Sequence, residues 1–161
     1  KPTTVDIAEK VYNFLTLMRN NPDQIPIRYV GPDKGVLAIA DAEQITQVFT
    51  NIVKNAIQAM NGKKDSDIII ILKTQLNQQL IHSGELNLTT NNWIEISISD
   101  NGPGIPNELR EKVFLPNFTT KHTGAGLGLS ISKNIVEASG GRITFRTSDA
   151  GTTFYIYLKK V

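Results

Sequence analysis

Asn51 and Asn55 stand four residues apart in TNIVKNAIQAM, with Lys54 beside the second. On a helix that spacing puts two amides one turn apart on the same flank. Asparagine is a mediocre residue in a helix interior, so the pair has two readings. One is a solvated polar face. The other is a set of amide oxygens offered to a hard cation such as Mg²⁺, which takes oxygen ligands together with substrate phosphates. A second group is DNGPGI, residues 100–105. Gly102 and Gly104 permit backbone conformations barred to other residues, and Pro103 stiffens the turn between them. This is either a tight turn with a capping aspartate, or Asp100 accepts a hydrogen bond from a ligand that the glycines allow to close. The third group is a glycine-rich stretch with Gly124, Gly126 and Gly128 opening a helix behind Thr119, Thr120 and Lys121. Backbone N–H groups at a helix N-terminus attract phosphate oxygens. The spacing fails both G-x-G-x-x-G and G-x-x-x-x-G-K-[ST], and such a loop also serves as a plain hinge.

These residues need elements to hold them. DAEQITQVFTNIVKNAIQAMNG (41–62) repeats Ile45, Val48, Phe49, Ile52, Val53, Ala56, Ile57 and Met60 at helical period. Asp41 is its expected N-cap and Gly62 its C-cap. WIEISISD (93–100) alternates Ile94, Ile96 and Ile98 with polar residues, the pattern of a half-buried strand ending at Asp100. LGLSISKNIVEASGG reads as a helix stopped by two glycines, and VDIAEKVYNFLTLMRN (5–20) as another, with Thr3 or Thr4 as N-cap. IRYV and VLAIA around GPDKG, SDIIIILKTQL, and RITFRTS and TTFYIYLKK around DAG read as strands. The polar stretch 76–92 reads as a long hairpin connection, and 101–126 as a binding loop with a short helical piece at NELREKVF. The order predicts an α+β two-layer sandwich, a mixed sheet covered on one face by three helices.

A chain of 161 residues fits one domain with its own core. Seventeen basic against fifteen acidic side chains leave a net charge of +2, too balanced for nucleic acid to be the leading partner. The absence of cysteine excludes disulfides and thiolate metal sites and suits a reducing compartment. No apolar run approaches a membrane span and no signal peptide is visible. The opening KPTT lacks an initiator methionine, which reads as a piece of a longer protein.

Taken together and in this order, the three groups resemble the ATP-binding catalytic domain of sensor histidine kinases, in the wider superfamily of gyrase, Hsp90 and MutL ATPases. TNIVKNAIQAM is similar to the N box, DNGPGI to the first glycine box, VFLPNFTTK to the F box and GAGLGLSISKNIVEASGG to the second glycine box. The resemblance covers about residues 36 to 159, with residues 1–35 as an N-terminal helix and first strand of the same single domain. The TTK and the N-A-I-Q-A-M ending look closest to the nitrogen-regulation type.

The resemblance implies a Bergerat fold, with a mostly antiparallel sheet of about five strands, and ATP and Mg²⁺ as cofactors. Asp100 would bind the adenine amine, Thr152 helping through water, with Gly102, Gly104 and Ile105 lining the turn. Asn55 would be the magnesium ligand, and Asn51 and Lys54 would face the phosphates. Thr119, Thr120 and Lys121 would sit near the terminal phosphates. Gly124, Gly126, Leu127 and Gly128 would offer backbone N–H groups, with Leu129 beside them. Phe114 and Phe118 would anchor the lid, or simply pack in the core.

Hydrolysing members of the superfamily carry a glutamate where this chain has Asn51, and an amide cannot act as general base. The resemblance therefore implies phosphoryl transfer, by positioning and charge neutralisation, rather than hydrolysis. Asn55 and Lys121 would carry the catalysis. No H-E-x-x-x-P-like acceptor motif is present, and His82 and His122 read as surface residues. The expected partners are a histidine-bearing dimerisation domain of the parent kinase and a response regulator receiver domain. The fragment is expected to be cytoplasmic, without membrane contact of its own and unable to phosphorylate itself. A free-standing serine kinase of the anti-sigma type and a non-catalytic nucleotide-sensing module are the alternative readings.

Overall fold

The computed structural model describes residues 1–20, 25–76, 92–116 and 126–161, without the side chains of 126 and 127. Among these the chain runs β1 (Pro2–Asp6), α1 (Ile7–Arg19), β2 (Ile27–Val30), β3 (Leu37–Asp41), α2 (Gln44–Ala59), β4 (Ile68–Lys73) and β5 (Trp93–Asp100). A 3-10 helix (Asn107–Lys112), α3 (Gly126–Ala138), β6 (Arg142–Ser148) and β7 (Gly151–Lys159) follow. The main sheet has the order β2-β4-β5-β7-β6, parallel between β2 and β4 and antiparallel elsewhere. It is the mixed, mostly antiparallel sheet of five strands that the sequence predicts.

The period-two pattern of each strand determines the core face. Register sets Ile70, Ile98, Phe154 and Phe145 in one row across β4, β5, β7 and β6, and Leu72, Ile96, Ile156 and Ile143 in the next. The second layer closes over these rows. Helix α2 lies against β5, α3 against β6, and α1 packs on α2 and β3. The α2 stripe of Ile45, Val48, Phe49, Ile52, Val53 and Ala56 is buried, and Phe49 meets Phe14 of α1 with ring centroids 5.9 Å apart. None of the described helices is long and apolar enough to cross a membrane.

Four details differ from the sequence reading. Helix α1 begins at Ile7, because the β-branched Thr3, Thr4 and Val5 pair as a strand with β3, Pro2 opposite Asp41 and Asp6 opposite Leu37. Its cap is Asp6, whose Oδ1 accepts from the Glu9 N–H at 3.2 Å. The strands IRYV and VLAIA are not a hairpin: β2 joins the main sheet while β3 leaves it to form a two-stranded sheet with β1. The caps of α2 differ: Glu43 stands at its N-cap and Met60 at its C-cap, in place of Asp41 and Gly62. Asp41 Oδ1 accepts from the Glu43 and Gln44 N–H groups at 3.0 Å from outside the helix. The expected short helical piece in NELREKVF is present as a 3-10 helix.

The fourth difference is the far face of β5. The half-buried pattern of WIEISISD predicts one exposed face, yet its polar positions Glu95 and Ser97 are 2 % and 5 % exposed. Strand β5 lies inside the sheet, and Glu95 accepts a hydrogen bond from the hydroxyl of fully buried Tyr157 at 3.0 Å. The antiparallel β4–β5 pairing agrees with a hairpin between them; the connection itself lies largely outside the described residues.

Candidate functional site

The apolar rows of the sheet end in a polar one. Along β5 the core-facing positions are Ile94, Ile96, Ile98 and then Asp100, and the ladder pairs Asp100 with Ile68 on one side and Thr152 on the other. Thr152 in turn pairs with Thr147. The Asp100 carboxylate therefore projects from the face that carries the core, at its edge. Its Oδ1 accepts from the Gly102 N–H at 2.9 Å and the Thr152 N–H at 3.3 Å. Both bonds use one oxygen, which leaves Oδ2 for a donor from outside. Burial pushes the Asp100 carboxyl above the usual range, and the two N–H donors offset this only in part.

The turn after Asp100 is shaped by close approaches. Gly104 has φ +84°, and a Cβ there would lie 2.0 Å from the Ser148 carbonyl oxygen. The Ile105 N–H donates to Thr147 Oγ1 at 2.8 Å, and that hydroxyl shares a 2.9 Å hydrogen bond with Thr152 Oγ1. Asn101 ties the turn to the chain leading into β4: its Oδ1 accepts from the Asp67 N–H at 2.9 Å and its Nδ2 donates to the Asp65 carbonyl at 2.6 Å.

Helix α2 supplies the wall opposite. Asn51, Asn55 and Ala59 fall at i, i+4 and i+8, along one flank. At one end a Cβ on Gly128 of α3 would lie 3.2 Å from Asn51 Cγ; at the other a Cβ on Gly102 would lie 3.1 Å from Met60 Cγ and 3.7 Å from Ala59 Cβ. Asn55 thus sits midway between the first turn of α3 and the Asp100 turn. Its Nδ2 donates to the Asn51 carbonyl at 3.0 Å, which orients the amide and leaves Oδ1 as its acceptor. Asn51 turns to α3, donating through Nδ2 to the Gly128 carbonyl at 3.1 Å and Ser132 Oγ at 3.3 Å. Lys54 is exposed beside them.

Asp100, Gly102, Gly104, Ile105, Thr152, Asn51, Asn55 and Gly128 are thus brought to one region, and Leu129 is buried beside Gly128. Gly126 and Leu127 form the first turn of α3. Thr119, Thr120, Lys121, Gly124 and Phe118 lie outside the described residues. Phe114 packs edge-on against Phe145 and Phe154, at 5.8 and 6.2 Å, the core-packing reading of that residue. Sequence reasoning passed over Thr147, Asn101 and Ser132. The two-residue turn Asp149–Ala150 makes Thr147 the ladder partner of Thr152, and Ser132 is one turn beyond Gly128, so both carried a signal. Asn101 carried none.

Residues 40–161 match the family described as histidine kinase-, DNA gyrase B-, and HSP90-like ATPase. The chain belongs to this family. The sensory histidine kinase/phosphatase NtrB of Escherichia coli O157:H7 is 36 % identical over 153 residues, 94 % of this chain and 41 % of NtrB. The chain thus spans about two fifths of the length of that relative. The catalytic domain of histidine kinase ThkA superposes with a TM-score of 0.76 at 29 % identity, over 99 % of this chain and 96 % of that one. ThkA in complex with the response regulator protein TrrA gives 0.74 at 27 % identity, over 99 % of this chain and 42 % of that one. This chain is an ATP-binding catalytic domain of the histidine kinase type, and its fold is the Bergerat sandwich.

Proposed function

We propose that this domain binds Mg·ATP between Asp100 and the first turn of α3, and passes the γ-phosphoryl group to a histidine on a separate dimerisation domain. The observation that carries this is the placement of Asn55. An oriented amide oxygen lies between a half-buried carboxylate suited to an adenine amine and a helix N-terminus suited to phosphate.

The donor set fits magnesium. Among the described residues no group of three or more His, Cys, Asp or Glu gathers to hold a metal. One amide oxygen, with phosphate oxygens and water completing the shell, is what Mg²⁺ accepts. Bound there, the cation would neutralise charge on the phosphates. The Asp100 carboxylate takes the exocyclic N–H of adenine on Oδ2. Thr152 and Thr147 hold that carboxylate and the turn in place. This reading assigns Lys54, and Lys121 with Thr119 and Thr120, to the terminal phosphates, and Gly124, Gly126, Leu127 and Gly128 would offer their N–H groups.

Asn51 supports transfer over hydrolysis. It is an amide whose Nδ2 is already bonded to α3, and it has no base to offer a water molecule. In transfer, the P–O bond to ADP breaks as a P–N bond to the acceptor imidazole forms. The phosphohistidine then serves a response regulator aspartate, a step for which the ThkA–TrrA complex is the supporting precedent.

The test mixes this chain with the histidine-bearing domain of NtrB and γ-labelled ATP. Acid-labile, base-stable label on that histidine is expected. Hydrolysis without any labelled histidine would reject transfer, and the failure of Mg·ATP to bind would reject the site.

A further inference from the structure

We infer that Ser132 is a positioning residue for the phosphate end of the site, fixing the first turn of α3 against the α2 flank that carries Asn55. Ser132 is 0 % exposed, a hydroxyl sealed between two helices. Its Oγ donates to the Gly128 carbonyl at 2.8 Å. Asn51 Nδ2 reaches across from α2 to that same carbonyl at 3.1 Å and to Ser132 Oγ at 3.3 Å. The three groups close a ring that spans the α2–α3 contact.

Helix propensity gives no reason for this arrangement. A helical serine that bonds back to the carbonyl four residues earlier slightly weakens its helix, and alanine is the better helix former. A polar ring across a helix contact does something an apolar contact does poorly: it selects one rotation and one axial offset. The offset selected here sets where the N–H groups of residues 126–128 lie relative to Asn55 Oδ1. Gly128 is the close point of the contact, since a Cβ there would press on Asn51 Cγ at 3.2 Å. Among the described residues, the adenine end, built on Asp100, Thr152 and Thr147, shares no hydrogen bond with this ring.

The inference rests on the Mg·ATP reading of the site, and it predicts a split between the two ends. Adenosine binding, followed by NMR titration, should be the same in wild type and Ser132→Ala. The affinity that Mg²⁺ adds to ATP, followed by calorimetry, should fall by about three- to ten-fold, the loss of one or two net hydrogen bonds. An intact Mg²⁺-dependent gain in Ser132→Ala overturns the inference, as does an equal weakening of adenosine and Mg·ATP, which a merely structural role would give. Should Ser132→Ala fail to fold, Ser132→Cys fills the same space with a weaker donor and must show the same split. The site itself is judged separately. If wild type binds no ATP, or Asp100→Ala binds adenosine like wild type, the nucleotide reading falls and takes this inference with it. If those controls behave and only Ser132→Ala is silent, the ring alone is discarded.

Discussion

Thr152 lies opposite Asp100 in the β5–β7 ladder, and its N–H reaches the Asp100 carboxylate at 3.3 Å. An ionisable group thereby occupies the end of a row that holds isoleucine at every earlier position on β5. Burial raises the folded pKa of Asp100 above its unfolded value. The ionised form is then unfavourable to folding at neutral pH, and stability rises as pH falls through the folded pKa toward the unfolded one. Asp100→Asn keeps an oxygen for the Gly102 and Thr152 donors and removes the charge. We expect it to melt about 2–4 °C higher, the shift that ~1 kcal/mol gives at this chain length. It should lose about 10- to 100-fold in adenosine affinity, because the adenine amine would then face an N–H. Melting and binding curves of one protein sample check both, and a variant that melts lower removes the argument from burial.

Two glycines separate backbone strain from steric exclusion. Gly35 has φ +88° with open space where a Cβ would go, whereas Gly104 has φ +84° with the Ser148 carbonyl oxygen 2.0 Å from that point. Gly35→Ala should cost about 1 kcal/mol, the price of a left-handed residue. Gly104→Ala should cost more than about 3 kcal/mol, since backbone must also move. Urea melts would rank them, and equal losses would show that the Ser148 strand shifts without resistance.

The legible parts of this protein were those with a period. Helix α2 and strands β4, β5 and β7 carry enough apolar residues to show which face meets the helices, and the glycine clusters stand where those elements end. The site residues of α2, β5 and β7 followed, because an element once phased also phases its polar positions. Strand β1 was not legible: PTTVD buries a single side chain, Val5, and its apolar residues run in phase with the helix behind it. It becomes a strand only because β3 is there to pair. The burial of Glu95 is illegible for a related reason, since alternation reports which residues are apolar and not what covers the other face.

Asn101 should act as a clamp with two separable halves. Asn101→Ala removes both the acceptor for the Asp67 N–H and the donor to the Asp65 carbonyl. Hydrogen exchange at the Asp67 amide should speed up, and stability should drop by about 1–2 kcal/mol. Asn101→Asp keeps the acceptor and should preserve protection at Asp67 while still losing the other bond. Equal exchange in both variants would mean that the Asp67 amide is protected by something other than Asn101.

The Glu95–Tyr157 pair makes a pH-dependent prediction. Burial holds the Glu95 carboxyl above the usual range, and the Tyr157 hydroxyl and nearby Lys73 pull it down. Tyr157→Phe strips the donor from a buried carboxylate and should destabilise by about 1–3 kcal/mol at neutral pH. Its own Glu95 pKa then rises further. Protonation relieves the unpartnered charge, so the deficit against wild type should shrink as pH falls through that higher value. Denaturant melts at pH 7.5 and pH 5 would read the change. A deficit that stays constant or grows toward acid would show that Glu95 does not carry the effect.

Asn55 should couple two ligands without supporting the fold. Its one hydrogen bond among the contacts described here runs back to the Asn51 carbonyl, already the partner of a helical N–H, and alanine is the better residue for a helix interior. Asn55→Ala should therefore be as stable as wild type or slightly more so. Binding is where it should differ. If Asn55 Oδ1 holds the cation against the phosphates, Mg²⁺ raises ATP affinity by a coupling of about 5- to 150-fold, and ATP raises Mg²⁺ affinity by the same factor. Calorimetric titration in each order, with EDTA as the metal-free reference, measures the factor twice in wild type. In Asn55→Ala both values should approach one, with metal-free ATP affinity unchanged. Coupling that survives the substitution would place the cation on other ligands, and a loss of metal-free affinity would place Asn55 in contact with the nucleotide itself.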